Sequence, residues 1–543
     1  MSIFPHQRYL SYIFLLLFTL IGCQKVQSSN QLLAPLPQDP LIQVYFNHSQ
    51  SSQYRETYRQ QTRLGDDLEK QIVDVISQAK STIDVAVQEL RLPKIAQALA
   101  EKQKTGVKVR IILENNYSRP WSSLTANEIQ TLDKREKERY HEFRKFVDIN
   151  QDNQITSAEI NQRDALAIIQ NAQIPWIDDT ADGSKGSSLM HHKFVIVDNR
   201  FVVITSANFT FSDTSGDLTN FTSLGNNNNL LKIDSPELAT LFTQEFNIMW
   251  GDGAGGKPDS KFGVKKLVRL PKEITLTNTK ITVHFSPTSS REIWSNTSNG
   301  LIAKTLDTAT KSVDMALFVF SDQKLANILE NRHAENVEIR ALIEPQFAYR
   351  PYSEALDMMG LSLSDNCKYE LDNRPWRNSI STVGVPILAK GDLLHHKFSL
   401  IDKKTVITGS HNWSEAANSG NDETLVVIEN PTVAEHYQRE FDRLYTKMKP
   451  GLPPNIQAKI DAQVKNCPQI QTPSSLEKLG TTTVNLNTAN QEELETLPGV
   501  GKKLAQRIII ARQKQKFTSL QDIEKIPGVS AKTSEKWQGR VTW

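Results

Sequence analysis

The chain is short of cysteine, of net charge and of long apolar runs. Three cysteines in 543 residues cannot frame a disulfide-stapled scaffold. Buried cores must do that work, and the length suggests several domains. A formal charge of +2 leaves the overall balance silent about nucleic acid, so any basic surface must be local. The one conspicuous apolar run, Tyr12 to Ile21, is too short and too early for a typical spanning helix. What the chain does have is repetition. "HHKFVIVDNRFVVITSAN" begins at 191 and "HHKFSLIDKKTVITGSHN" at 395.

The repeat is longer than these stretches. "KSTIDVAVQELRLPKIAQALAEKQKTGVKVRIILE" from 80 parallels "KSVDMALFVFSDQKLANILENRHAENVEIRALIE" from 311. Each reads as strand, helix, strand, which argues for an α/β class. The halves also end alike, in "IDSPELATLFTQEFNIMW" (233–250) and "IENPTVAEHYQREFDRLY" (428–445). Ser235 and Asn430 stand where an N-cap belongs, with Pro236 and Pro431 at the first helical position. The expected organisation is lobe 1 at 41–250, a Gly-rich linker at 251–275, lobe 2 at 276–450, a second linker at 451–483 and a small module at 484–543.

Lobe 1 carries an insertion at about 125–173. Within it, "DINQDNQITSAE" (148–159) fits the twelve-residue EF-hand loop. Oxygen ligands fall at Asp148, Asn150, Asp152, the Gln154 carbonyl, Thr156 and Glu159, a register suited to Ca²⁺ in a structural role. Asn153 replaces the usual Gly; Asn is the next best residue for the left-handed region. A polar loop between two helices is the plainer alternative.

The doubled motif carries the chemistry. Its spacing is His191-x-Lys193-x₄-Asp198-x₆-Thr205-Ser206-x-Asn208, and His395-x-Lys397-x₄-Asp402-x₆-Gly409-Ser410-x-Asn412. On a strand, residues two apart share a face, so each lobe offers an imidazole, an ammonium, a hydroxyl and an amide to one spot. Two such sets facing each other would hold one phosphodiester between two imidazoles. One would attack phosphorus and the other would protonate the leaving oxygen, with built-in cations and no catalytic metal. At these residues the chain resembles the phospholipase D superfamily, over about 41–450. The resemblance implies two pseudo-twofold-related α/β lobes with one interfacial active site. It also implies His191 as nucleophile, His395 as acid, and an acidic residue after each Ser-x-Asn to orient a histidine. Glu423 fills that place in lobe 2, whereas lobe 1 offers only Asn228.

The terminal module has two hairpin signatures, "LPGVGKKLAQRI" (497–508) and "IPGVSAKTSEK" (526–536). Gly499, Val500, Gly501, Lys502, Lys503 and Gly528 are the candidate phosphate contacts, through backbone N–H groups and added charge. Over 484–543 the count of Lys plus Arg less Asp plus Glu is 10 − 6 = +4. The module resembles the helix–hairpin–helix pair of bacterial competence-type DNA receptors. That implies a small all-α domain binding DNA through phosphates, without sequence preference.

At the other end, Arg8 and the apolar run form a signal peptide that ends in "LIGC". This resembles the bacterial lipoprotein signal, which implies diacylation of Cys23 and an exported protein anchored in the cell-envelope membrane. An ordinary signal peptide or an uncleaved anchor is the alternative. Residues Gln24–Pro40 would be the tether. Cys367 and Cys467 remain, either as one bridge or as two separate thiols. Three functions stay open: a membrane-tethered DNA nuclease, a phospholipase D acting on membrane phospholipid, and a non-catalytic surface DNA receptor. A monomer is expected.

Overall fold

The structure, a computed structural model, describes residues 32–543 apart from 185–187, 290, 371, 468–483, 490, 496, 498–499, 531–532, 535–536 and 538–540. The expected signal sequence, Cys23 and Gly499 lie outside the described residues. Among the described residues no helix is long and apolar enough to cross a membrane.

Lobe 1 is built on a seven-stranded sheet. Its strands are β1 (Ile42–Phe46), β2 (Thr82–Val87), β3 (Lys108–Leu113), β4 (Trp176–Asp178), β5 (Lys193–Val197), β6 (Phe201–Thr205) and β7 (Asn229–Asp234). Their spatial order is β1-β7-β6-β5-β2-β3-β4. Strands β2, β3 and β4 run parallel, and the rest pair antiparallel. Lobe 2 repeats this pattern with β8 (Lys272–Leu276), β9 (Thr279–Ser286), β10 (Ser312–Leu317), β11 (Glu338–Ile343), β12 (Val383–Val385), β13 (Lys397–Ile401), β14 (Thr405–Gly409), β15 (Glu423–Glu429) and β16 (Lys449–Pro450). The order is β8-β9-β15-β14-β13-β10-β11-β12-β16. Removing the two edge strands leaves the lobe 1 order strand for strand. The expected α/β class and the internal duplication are therefore both present. The apolar runs of β5 and β13 are buried at every position, as strands covered on both faces must be.

The insertion contributes α1 (Lys134–Val147) and α2 (Ser157–Arg163). Each lobe closes with an amphipathic helix, α3 (Pro236–Trp250) or α4 (Pro431–Tyr445). The side chains of Ser235 and Asn430 accept the N–H of Leu238 and Val433, both at 3.1 Å, so the expected caps form. These two helices pack between the sheets. Phe46, Phe194, Phe242 and Phe246 of lobe 1 share one apolar cluster with Phe398, Val426, Tyr437 and Phe441 of lobe 2. Phe46 meets Tyr437 edge-on at 5.1 Å. Truncating a fully buried ring of this kind to Ala costs about 3–5 kcal/mol. The common core thus makes the two lobes one body, and it lies beneath the site they form.

Two segments expected as linkers are pinned. Within the tether range, the carbonyls of Ala34 and Pro37 accept from Arg439 and His436 of α4 at 2.7 and 3.0 Å. The chain is bonded to the lobes already at Leu33, whose N–H donates to the Gln50 carbonyl at 2.9 Å. In the 251–275 linker, Phe262 is fully buried and Lys266 is ion-paired to Glu245 and Asp422. The second linker is helical in α5 (Pro454–Asn466), and Cys467 at its end is bridged to Cys367, which settles the question left open by the sequence. The terminal module has its own small core of Leu486, Leu494, Ala505, Ile508, Ile523 and Trp537.

Candidate active site

Strands β5 and β13 start at the two lysines, and the histidines lie just before them at the lobe interface. The chain leading into each motif crosses to the other lobe. The His191 N–H donates to the Asp422 carbonyl at 2.9 Å, and the His395 N–H to the Asn227 carbonyl at 3.2 Å. Each imidazole is then oriented by the opposite lobe. His191 Nδ1 lies 2.7 Å from Glu423 Oε2. His395 Nδ1 lies 2.9 Å from Asn228 Oδ1. The Asn228 amide is itself fixed, because its Nδ2 donates to the carbonyls of Asp213 and Asn226 at 2.9 and 3.2 Å. Its oxygen must therefore accept the Nδ1 proton of His395, which puts that ring's lone pair on Nε2.

Both histidines line one cavity of about 490 Å³, together with Gln88, Asn208, Asp213 and Phe318. Lys193 Nζ donates to the His191 carbonyl at 2.9 Å and to Gln88 at 3.1 Å. Lys397 Nζ donates to the His395 carbonyl at 2.7 Å and lies 4.8 Å from the Phe318 ring centre. Burial, then the neighbouring lysines, lowers both imidazoles well below their ordinary range, so both are neutral at rest. Burial also pushes Lys193 down to about 8. Lys397 falls too, from burial and then the repulsion of Lys193. The two buried lysines thus disfavour each other's charge, a cost that an anion beside them would relieve.

The other residues singled out from the motifs divide into two groups. Ser206 and Ser410 do not face the cavity; they donate to Asn228 Oδ1 and Glu423 Oε2, both at 2.7 Å, and so orient the partners of the histidines. Asn208 lines the cavity, and the amide oxygens of Asn208 and Asn412 are buried without a partner. Asp198 and Asp402 are not brought to the site. Each lies beyond the far end of its motif strand, with a left-handed backbone, and binds the chain entering the neighbouring strand. Asp198 accepts from the N–H groups of Lys80, Ser81 and Thr82, and Asp402 from those of Thr310, Lys311 and Ser312. Six residues separate each His from its Asp and run along an extended strand, so neither carboxylate reaches the histidine cavity. Gly409 has φ +135°, and a Cβ there would sit 2.2 Å from the Thr424 carbonyl. Thr205 takes its place in lobe 1 without a positive φ, its hydroxyl donating to the Asn229 carbonyl at 2.6 Å.

Several site residues escaped the sequence reading. The second histidine of each pair is wholly buried, with His192 on Glu245 at 3.1 Å and His396 on Glu440 at 2.9 Å. The signal was present, since both glutamates precede a Phe at matching places in the repeated terminal helices. Asp213, 3.9 Å from His395 Nδ1, had no repeat partner to mark it.

A family model described as cardiolipin synthase, PLD-like domain, matches residues 72–250 and 302–445. The chain belongs to this family. A helix-hairpin-helix motif matches residues 480–542. The chain is 25% identical over 145 residues to the mitochondrial cardiolipin hydrolase of Xenopus laevis, a match covering 26% of this chain and 59% of that protein. It is 27% identical over 140 residues to a phospholipase D of Rickettsia conorii, covering 26% of this chain and 60% of that protein. The chain thus spans less than two thirds of these relatives' own length. Among solved structures, Nuc from Salmonella typhimurium aligns over 32% of this chain and 100% of its own, at 21% identity and a TM-score of 0.25. The phosphatidylserine synthase of Haemophilus influenzae aligns over 81% of this chain and 96% of its own, at 12% identity and a TM-score of 0.45.

The two accessory sites stand as follows. The 148–159 loop joins α1 to α2, and Gln151 and Asn153 take φ of 61° and 64°, so Asn serves at the glycine position. Asp148 accepts from the Asn153 N–H at 2.8 Å. Glu159, however, accepts from Ile149 and caps α2 through Thr156 at 2.8 Å. Among the described residues no three acidic, His or Cys side chains gather as a ready metal site. The last carboxylate of the loop, Glu159, is thus engaged in capping the helix that follows. In the terminal module, Gly501 caps α6 (Lys502–Lys514), Lys503 is exposed, Gly528 has φ +102°, and Val500 is buried in the core rather than presented outward.

Proposed function

We propose that this chain is a phosphodiesterase working through a covalent phosphohistidine, and that its substrate is DNA. The observation that carries this reading is the exchange of partners across the lobes, His191 with Glu423 and His395 with Asn228. His191 Nε2 attacks phosphorus as the bond to the leaving oxygen breaks. The Glu423 carboxylate offsets the positive charge that develops on the ring. His395 has only a neutral amide oxygen on Nδ1, so its imidazolium is the stronger acid. The entering phosphate charge raises His395, which takes up a proton from solvent on Nε2 and then gives it to the leaving oxygen. Neutral again, it takes a proton from water, whose oxygen attacks the phosphohistidine and frees the enzyme. Lys193 and Lys397, with Asn208 and Asn412, bear the charge on the non-bridging oxygens. The helix–hairpin–helix match supports DNA as substrate. The names of the cardiolipin hydrolase and phospholipase D relatives favour a second reading, a phospholipid diester.

The test incubates the mature protein with EDTA and either plasmid or phospholipid, beside His191→Ala and His395→Ala. Nicking that needs no metal and is lost in both variants supports the nuclease. Headgroup release alone supports the lipid reading. DNA binding with no turnover overturns catalysis and leaves a receptor. We further propose that the 148–159 loop takes Ca²⁺ as a structural ion, drawing Glu159 from its capping role. A melting temperature that Ca²⁺ does not raise, or raises equally in Asp148→Ala, contradicts this. Attachment to a cell-envelope membrane through Cys23 is part of the same proposal; metabolic labelling with a fatty acid, lost in Cys23→Ala, tests it.

A further inference from the structure

Helix α1 of the insertion does more than carry the loop. Arg135, Glu138, Arg139 and Glu142 line the catalytic cavity, so one wall of the site is made by a segment with no counterpart in lobe 2. Arg139 is held there by the Glu89 carboxylate, with both oxygens at 3.1 Å. On the other side of Arg139 and Glu142 lies a second cavity, of about 80 Å³. That is room for several waters, the scale of one planar ring. Its walls are Trp121, Phe143, Phe146 and Phe211, with the guanidinium groups of Arg91 and Arg163. Arg163 lies 4.6 Å from the Phe146 ring centre and Arg91 5.6 Å from that of Trp121. The aromatic side chains are only half-buried.

We infer that this side cavity is a nucleobase subsite, holding the base next to the scissile phosphate. The inference rests on the nuclease reading above. The two cavities share Glu89, Arg139, Glu142, Thr210, Ser212 and Asp217, so they lie side by side along α1. A strand leaving the histidines crosses Arg139, a cation for its next phosphate, and its base meets aromatic faces and flat guanidinium groups. Stacking of this kind suits any base and needs it unpaired. An acyl chain fits poorly, because it would strip water from Arg139, Glu142 and Asp217 without replacing their hydrogen bonds. The enzyme therefore acts on single strands in preference to duplex.

The experiment compares single-stranded oligonucleotides that carry either a normal nucleotide or an abasic one beside the cleaved linkage. The wild-type chain is expected to lose on the order of tenfold or more in kcat/KM on the abasic strand. Phe143→Ala and Arg163→Ala are expected to cut both strands at the lower rate. Equal rates on both strands with the wild-type chain overturn the subsite and leave the nuclease standing. No cleavage of any oligonucleotide overturns the nuclease reading and the subsite with it. Loss of phospholipid hydrolysis in Phe143→Ala, with oligonucleotide cleavage intact, assigns the cavity to a lipid chain instead.

Discussion

Glu423 of lobe 2 holds His191 of lobe 1 at 2.7 Å, and it is the only carboxylate given to either histidine by direct hydrogen bond among the described residues. The symmetric position in lobe 1 is Asn228. The duplicated chain has thus made its two halves unequal, and the proposed mechanism takes their roles from that inequality. Glu423→Gln removes the charge but not the hydrogen bond. It is expected to lower kcat by about 10²–10⁴-fold, as loss of an orienting carboxylate does elsewhere. Asn228→Asp is expected to cost much less in the attack and to slow leaving-group protonation. A Brønsted series of leaving groups separates the two, with the Asp variant losing most on the poorest leaving group.

The site should also be limited on its alkaline side. The folded pKa of Lys193 is depressed to about 8, so its positive charge is complete below that pH and is lost as pH rises through it. As Lys193 joins His395 in losing its proton, the kcat/KM of the free enzyme is expected to fall more steeply above about pH 8, by up to a further tenfold per pH unit. A profile flat to pH 10 contradicts the placement of Lys193 as a phosphate ligand.

Asp198→Ala separates framework from chemistry. The carboxylate accepts three backbone N–H groups and the Ser81 hydroxyl at 2.7 Å, all at the start of β2. Its loss is expected to cost about 1–3 kcal/mol of stability and lower the melting temperature. The kcat of the folded fraction stays at the wild-type value. A selective fall in kcat at unchanged stability would return Asp198 to the catalytic set.

Much of this was legible from the residues alone. The repeat fixed the class, the two lobes and the caps at Ser235 and Asn430, because strand periodicity and helix-start chemistry are local. The motif brought the histidines and lysines together because two repeats with polar ends must face each other to bury their helices. The aspartates misled, since x₄ spacing along an extended strand carries a side chain away from its histidine, and only the neighbouring strand shows what it binds. The wall made by α1 was invisible for a different reason. An insertion without a repeat partner gives no hint of where it docks. Segments 34–39 and 262–266 read as linkers because Gly, Pro and polar residues signal loops whether or not they are pinned.

Removing the terminal module tests the division of labour. A chain ending at Asn466 is expected to keep full turnover of a small diester and to lose affinity for DNA. The salt dependence of binding should become shallower, because fewer phosphates are contacted. Unchanged DNA affinity contradicts the role given to the module.

Reduction of the Cys367–Cys467 bridge opens a link across a sequence separation of 100 residues. Chain entropy puts its contribution at about 2–5 kcal/mol. Cys467→Ser is expected to expose α5 to proteolysis while the histidine cavity, built elsewhere, keeps its activity.

The most direct measurement is acid quenching of single turnovers with a ³²P-labelled diester, followed by mapping of the labelled peptide. The account predicts acid-labile phosphate on His191, present in the wild-type chain and absent in His191→Ala. Label on His395 would reverse the assigned roles, and turnover with no labelled histidine at any time point would contradict covalent catalysis altogether.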